Sequence, residues 1–209
     1  MKLGFYPKLA WTGMRSNRKM YLPYLITCIS MVAMLYIVGY LSGAEAVRHL
    51  PGGQFIQESL GLGVWIIALF AGLFLVYSSS FLMRRRKKEF GLYNILGMGK
   101  GHLGMVVFWE TVMTAVISIS GGLVAGIMLS KLSELCIVNI VGGEVDYSLT
   151  ISGRSVITAC IVFAVIFLVI MVKSLWQIRR TNAINLLKSE NVGEKLPRMY
   201  WFWGILGAV

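Results

Sequence analysis

Charge is scarce in this sequence. Of 209 residues only 14% are Asp, Glu, Lys or Arg, against 57% apolar residues and a mean hydropathy of +0.73. That is too little polar surface to coat a water-facing globule. Acidic residues number nine against twenty basic ones, a formal charge of +11. In a soluble protein that balance would suggest nucleic acid, which requires cations gathered on one exposed face. Here they stand between long apolar runs, so nucleic acid is not expected as a partner. Histidine is limited to His49 and His102, and cysteine to Cys28, Cys136 and Cys160 without a CxxC pair. Neither a metal site nor a disulfide framework is expected from that inventory, and the three thiols read as small apolar packing residues. No HExxH, GxSxG or paired intramembrane aspartate occurs. A phosphate loop ending at Gly99 and Lys100 is excluded too, because Asn94 and Gly101 stand where it needs glycine and a hydroxyl residue. The chain therefore reads as a non-enzyme that binds no cofactor directly and carries no ATPase motif.

What is abundant is apolar sequence in long runs. A bilayer core of about 30 Å needs about 20 apolar helical residues. Four stretches meet that length: residues 21–41, 60–83, 103–129 and 155–176, the last if Lys173 snorkels its ammonium to the interface. A further run over 199–209 is too short to cross and reads as the start of a truncated fifth span, as in the N-terminal piece of a longer permease. Ahead of the first span, residues 1–20 mix Phe5, Tyr6, Leu9, Trp11 and Met14 with basic residues, which suits a helix lying in the membrane interface. Ala44-Glu45-Ala46 imitates a signal-peptidase site, but the preceding apolar run is too long and its basic preamble too extended for a cleaved leader. The fold class is an all-α membrane protein, with a four-helix module over 21–176 and a cytoplasmic linker or helix over 177–198.

Seventeen of the twenty basic residues fall in the 1–20, 83–102 and 173–198 segments; Arg48, Lys131 and Arg154 are the three in the other connections. Basic connections stay in the cytoplasm, so the N-terminus is placed inside the cell membrane and the 42–59 and 130–154 connections outside.

Residues 84–101, RRRKKEFGLYNILGMGKG, join the second and third spans. Their five leading cations would serve as an anchor on acidic headgroups of the lipid bilayer. Phe90, Leu92, Tyr93, Ile95 and Leu96 then put apolar groups at helical spacing outside any span, which calls for a protein groove or the membrane surface to cover them. Glu110 sits about two turns into the third span, where an ionised carboxylate needs a partner. It reads as a structural, hydrogen-bonded acid near the inner interface that could reach Arg84 or Lys100, because no second acid or histidine lies within a span to continue a relay. Ser118, Gly122 and Gly126 recur every four residues, a face on which another helix backbone can approach closely. Their spacing leaves open whether that helix belongs to the same bundle or to a second permease half.

Residues 84–129 resemble the FtsX-like permease module of ABC transporters. The matching positions are Lys88, Glu89, Phe90, Gly91, Leu92, Leu96, Gly97 and Lys100, followed by Glu110, Gly122 and Gly126. A short first external connection and the opening FYPKLAWTGMRSNRKMYLPYLI are similar to the bacitracin-resistance (Bce-type) permeases. The resemblance implies a permease subunit that couples ATP hydrolysis by a cytoplasmic ABC ATPase, acting as a dimer, to export or detoxification of antimicrobial peptides. ATP would be used by that partner, and a sensor histidine kinase is a further implied partner. Lys88, Glu89, Phe90, Gly91, Leu92, Leu96 and Gly97 would form the ATPase-coupling helix. The alternative is a non-transporting, mechanotransmitting or sensory subunit that signals to a histidine kinase or a cell-wall hydrolase through the same segment.

Overall fold

The computed structural model describes residues 5–48, 52–86, 89–92, 98–141 and 151–180. All elements among them are α-helices: α1 Phe5–Ser16, α2 Arg18–Gly43, α3 Glu45–Arg48, α4 Gly53–Arg85, α5 Lys100–Val141 and α6 Gly153–Arg180. Residues 89–92 form a further helical turn between α4 and α5. Four of the helices, α2, α4, α5 and α6, are long and apolar enough to cross a membrane. The protein is an all-α, multi-pass membrane protein.

These helices overrun the apolar stretches that mark them in the sequence. At 1.5 Å per residue, the 42 residues of α5 extend about 63 Å, twice the bilayer core. Its last turns therefore project beyond the hydrocarbon. Lys131, assigned from sequence to a connection, is inside that helix and bonds Glu134 at 3.1 Å, and the Tyr40 hydroxyl donates to the same carboxylate oxygen at 2.8 Å. Cys136 lies on this extension and is exposed, so it is not the packing residue expected of it; Cys28 is buried and Cys160 half-buried. The expected fifth span, residues 199–209, and most of the 177–198 linker lie outside the described residues.

Helix α2 is the hub, touching α4, α5 and α6. Cys28, Val32 and Leu35 on it meet Ala71 and Leu75 of α4 and Phe163 and Ile166 of α6 in one core cluster. Against α5 the approach is closer. A Cβ added at Gly122 would lie 2.4 Å from Val32 Cβ and 2.9 Å from the Ile29 carbonyl oxygen. One added at Gly126 would lie 3.0 Å from the Tyr36 ring. Only glycine allows that spacing, and Ser118, one turn earlier, is fully buried. The small-residue face of the third span thus seats within this bundle. Toward lipid the helices present large apolar side chains, such as Trp65 and Leu69 on α4 and Ile161 on α6, as bilayer solvation favours.

Candidate functional site: the buried ion pair behind the basic connection

Five consecutive cations follow the second span, and the structure separates the three described ones, Arg84, Arg85 and Arg86, by helical phase. Arg84 and Arg85 are exposed, whereas Arg86 is 2% exposed. Arg86 comes eleven residues after Leu75, about three turns at 3.6 residues each, so it continues the face that α4 buries in the bundle. It also ends that helix: its N–H bonds the Leu82 carbonyl at 3.2 Å, and its own carbonyl accepts the Phe90 N–H at 3.2 Å. The connection turns on this residue.

The guanidinium gathers four elements besides its own. Its Nη1 donates to Glu110 Oε2 of α5 and, at 2.5 Å, to the Tyr21 hydroxyl of α2. Its Nε donates to Glu89 Oε2 at 3.1 Å. The Phe90 ring lies 5.0 Å from the guanidinium carbon and the Tyr21 ring 5.4 Å, both in cation–π range. Asn17, at the joint between α1 and α2, gives no side-chain cap to α2 and donates instead to Glu89 Oε1 at 2.6 Å. Gly13 of α1 completes the enclosure, since a Cβ there would stand 3.3 Å from Arg86 Nη2.

Burial alone pulls the Arg86 guanidinium down, but the carboxylates of Glu110 and Glu89 beside it outweigh that and raise it above the ordinary arginine value. It stays a cation. Glu110 is 5% exposed, and among the described residues its Oε1 has no hydrogen-bond partner. A cavity of about 40 Å³ opens beside the pair, lined by Tyr24, Ser79, Thr111 and Ser174 as well as Arg86 and Glu110. Desolvating two ions is expensive, so such a pair does little for net stability while making any loss of one member costly. Its consequence here is geometric: the turn after α4 is fastened to α1, α2 and α5 at once.

Arg84 and Lys100, the partners expected for Glu110, are both exposed, and Arg86 takes that place. Phe90 also departs from expectation. It is 3% exposed and packs with Met83, Leu103, Val107 and Ile178, so its ring belongs to this chain's own core rather than to an outward docking face. Glu89 points its carboxylate to Asn17 and Arg86, and Gly91 is buried. Of the proposed coupling residues, Leu92 is the described one that faces outward, at 56% exposure. Lys88, Leu96 and Gly97 lie outside the described residues. Tyr21 and Asn17 carry no sequence signal that would have joined them to Glu89 or Glu110; the isolated acid in a span was the one available clue.

A bundle of this kind, with a short N-terminal helix, a basic turn and a parallel α2–α5 pair closed on glycine, has sequence relatives. The family model described as FtsX-like permease C-terminal matches residues 61–183. The chain belongs to the FtsX-like permease family. It is 26% identical over 197 residues to the uncharacterised ABC transporter permease YvcS of Bacillus subtilis, covering 93% of this chain and 30% of that protein. The bacitracin export permease protein BceB of the same species is 26% identical over 207 residues, covering 97% of this chain and 31% of its own length. BceB of Halalkalibacterium halodurans is 21% identical over 198 residues. The permease described here thus spans about a third of the length of these relatives. The family is one of ABC transporter permease subunits, which are not themselves the ATPases.

Proposed function

We propose that this chain forms part of the permease of an antimicrobial-peptide export or detoxification system, and passes the motion of a pair of cytoplasmic ABC ATPases to its spans. The N-terminus and the Arg86 turn face the cytoplasm, as the distribution of basic residues favours. The observation that carries the reading is the buried Arg86–Glu110 pair. It ties the turn at Arg86 to α2 and α5, with Gly13 of α1 packed against the same guanidinium, so a push on the turn reaches these helices together. A segment held only by headgroups would slip instead. Likeness to two bacitracin export permeases supports a peptide antibiotic as the cargo class.

Leu92 is the contact to test, because Phe90→Asp would place a carboxylate in the chain's own core and report on folding. A buried leucine is worth roughly 1.5–3 kcal/mol, so Leu92→Asp should lower co-purification of the cognate ATPase to about a tenth or less while leaving membrane abundance unchanged. Wild-type capture by the Leu92→Asp permease would remove docking at this turn.

A further inference from the structure

A second feature of the basic end lies on the opposite flank of α2 from α1. Between α2 and α4 a groove of about 550 Å³ opens toward the membrane. Lys19, Pro23 and Thr27 line it from α2, and Phe74, Tyr77 and Arg85 from α4. Within each helix these positions follow the three- and four-residue steps of one face, so the walls are stripes that run from the helix ends into the bilayer.

The stripes are graded in chemistry. Both cations are at the mouth, Lys19 in the first turn of α2 and Arg85 as the last residue of α4. The Arg85 guanidinium carbon lies 5.1 Å from the Phe81 ring, a cation–π contact that holds it at the groove. Pro23 has no N–H to donate to the Lys19 carbonyl, which leaves a backbone acceptor of α2 without its usual donor at the same level. Deeper in, hydroxyls of Tyr77 and Ser78 give way to Phe74. Tyr77 and Phe81 are 71% and 52% exposed, so the described residues leave this surface uncovered.

We infer that the groove binds an anionic phospholipid of the leaflet on the basic side, its phosphate met by Lys19 and Arg85 and an acyl chain laid along Tyr77 and Phe74. Two cations at the mouth, above walls of aromatic and apolar carbon with a few hydroxyls, match a phospholipid read from headgroup to tail. A partner helix is the poorer fit. Helix interfaces in membranes depend on small residues that let backbones close, as Gly122 and Gly126 do for α2 and α5, whereas these walls carry aromatic rings and long cationic side chains. The groove shares Tyr24 and Leu82 with the cavity beside the Arg86–Glu110 pair, but its cations are Lys19 and Arg85 and not Arg86, and the proposal holds whether or not an ATPase docks at Leu92.

The test uses the purified chain in phosphatidylcholine vesicles doped with phosphatidylglycerol carrying a photoactivatable diazirine on one acyl chain. Crosslinks are mapped by mass spectrometry. The expected result is labelling of residues 74–81 by the glycerol probe well above that by a phosphatidylcholine probe with the same chain. Lys19→Gln and Arg85→Gln should each reduce that labelling about fivefold, the effect of one cation near a charged surface. Arg84→Gln, exposed at the same end but outside the groove, should leave it unchanged. Equal labelling by the two headgroups in the unmodified chain, which needs no variant to fold, overturns the proposal. So does undiminished labelling in the Lys19→Gln/Arg85→Gln double variant, and labelling confined to other helices would assign the basic end a general surface attraction only.

Discussion

At the scale of single residues, the two members of the buried pair are not equivalent. Arg86 has Glu89 and Tyr21 in addition to Glu110, while Glu110 Oε2 depends on Arg86 and its Oε1 is unpaired among the described residues. Removing Arg86 therefore leaves a buried carboxylate without its counter-charge, at a cost of about 3–5 kcal/mol. Removing the charge of Glu110 by Glu110→Gln leaves the guanidinium with two other partners and an amide oxygen that can still accept, a loss of about 1–3 kcal/mol. Thermal unfolding in detergent should place Arg86→Gln below Glu110→Gln, and the Arg86→Gln/Glu110→Gln double variant above the sum of the two losses. Equal or additive losses would mean that the pair is not coupled as drawn.

For pairs of elements, the α2–α5 contact is the one whose tolerance can be calculated from distance. Gly122→Ala gains intrinsic helix propensity, about 1 kcal/mol in an exposed helix, yet its methyl would meet Val32 and the Ile29 carbonyl at separations that force a shift. Overpacking costs roughly 1–3 kcal/mol, so the net effect should be destabilising. Val32→Ala should recover little of the loss, because alanine keeps the Cβ that stands 2.4 Å from the added methyl and the Ile29 carbonyl is backbone and cannot be trimmed. Gly61→Ala on α4, with nothing within 4 Å of the added carbon, should be neutral or stabilising in the same melting assay. A Gly122→Ala protein as stable as the parent would show that α2 and α5 sit further apart than described.

Across the whole molecule, the proposed orientation rests on the seventeen basic residues of the 1–20, 83–102 and 173–198 segments. In a background lacking Cys28, Cys136 and Cys160, Gln54→Cys at the start of α4 should react with a membrane-impermeant thiol reagent in intact cells. Lys100→Cys at the start of α5 should react only after the cells are opened. Both positions are exposed, so access and not burial decides the outcome. Labelling of Lys100→Cys in intact cells would invert the proposed topology.

The number and order of spans, and the family, were legible in the sequence because they depend on quantities that add along the chain. Those are the length of apolar runs, their spacing, and a motif whose order is fixed by the turn it makes. The place of Glu110 in need of a partner was legible for the same reason, since a carboxylate in hydrocarbon is costly wherever the helix points. Which cation answers it was not. Helix α4 is apolar on every side, so nothing in its sequence shows which face is buried, and Arg84, Arg85 and Arg86 differ only by 100° steps around its end. Packing sets that phase by putting Leu75 and Met83 into the core, and Arg86 inherits it. Phe90 was misplaced for a related reason. Its apolar spacing was read correctly, but whether an apolar face meets a partner or its own bundle is decided by how the turn folds back, and the tertiary structure closes it onto Leu103 and Ile178. Sequence determined the spans because solvation by lipid is a property of each segment; rotation of the helices against one another is a property of the assembled bundle.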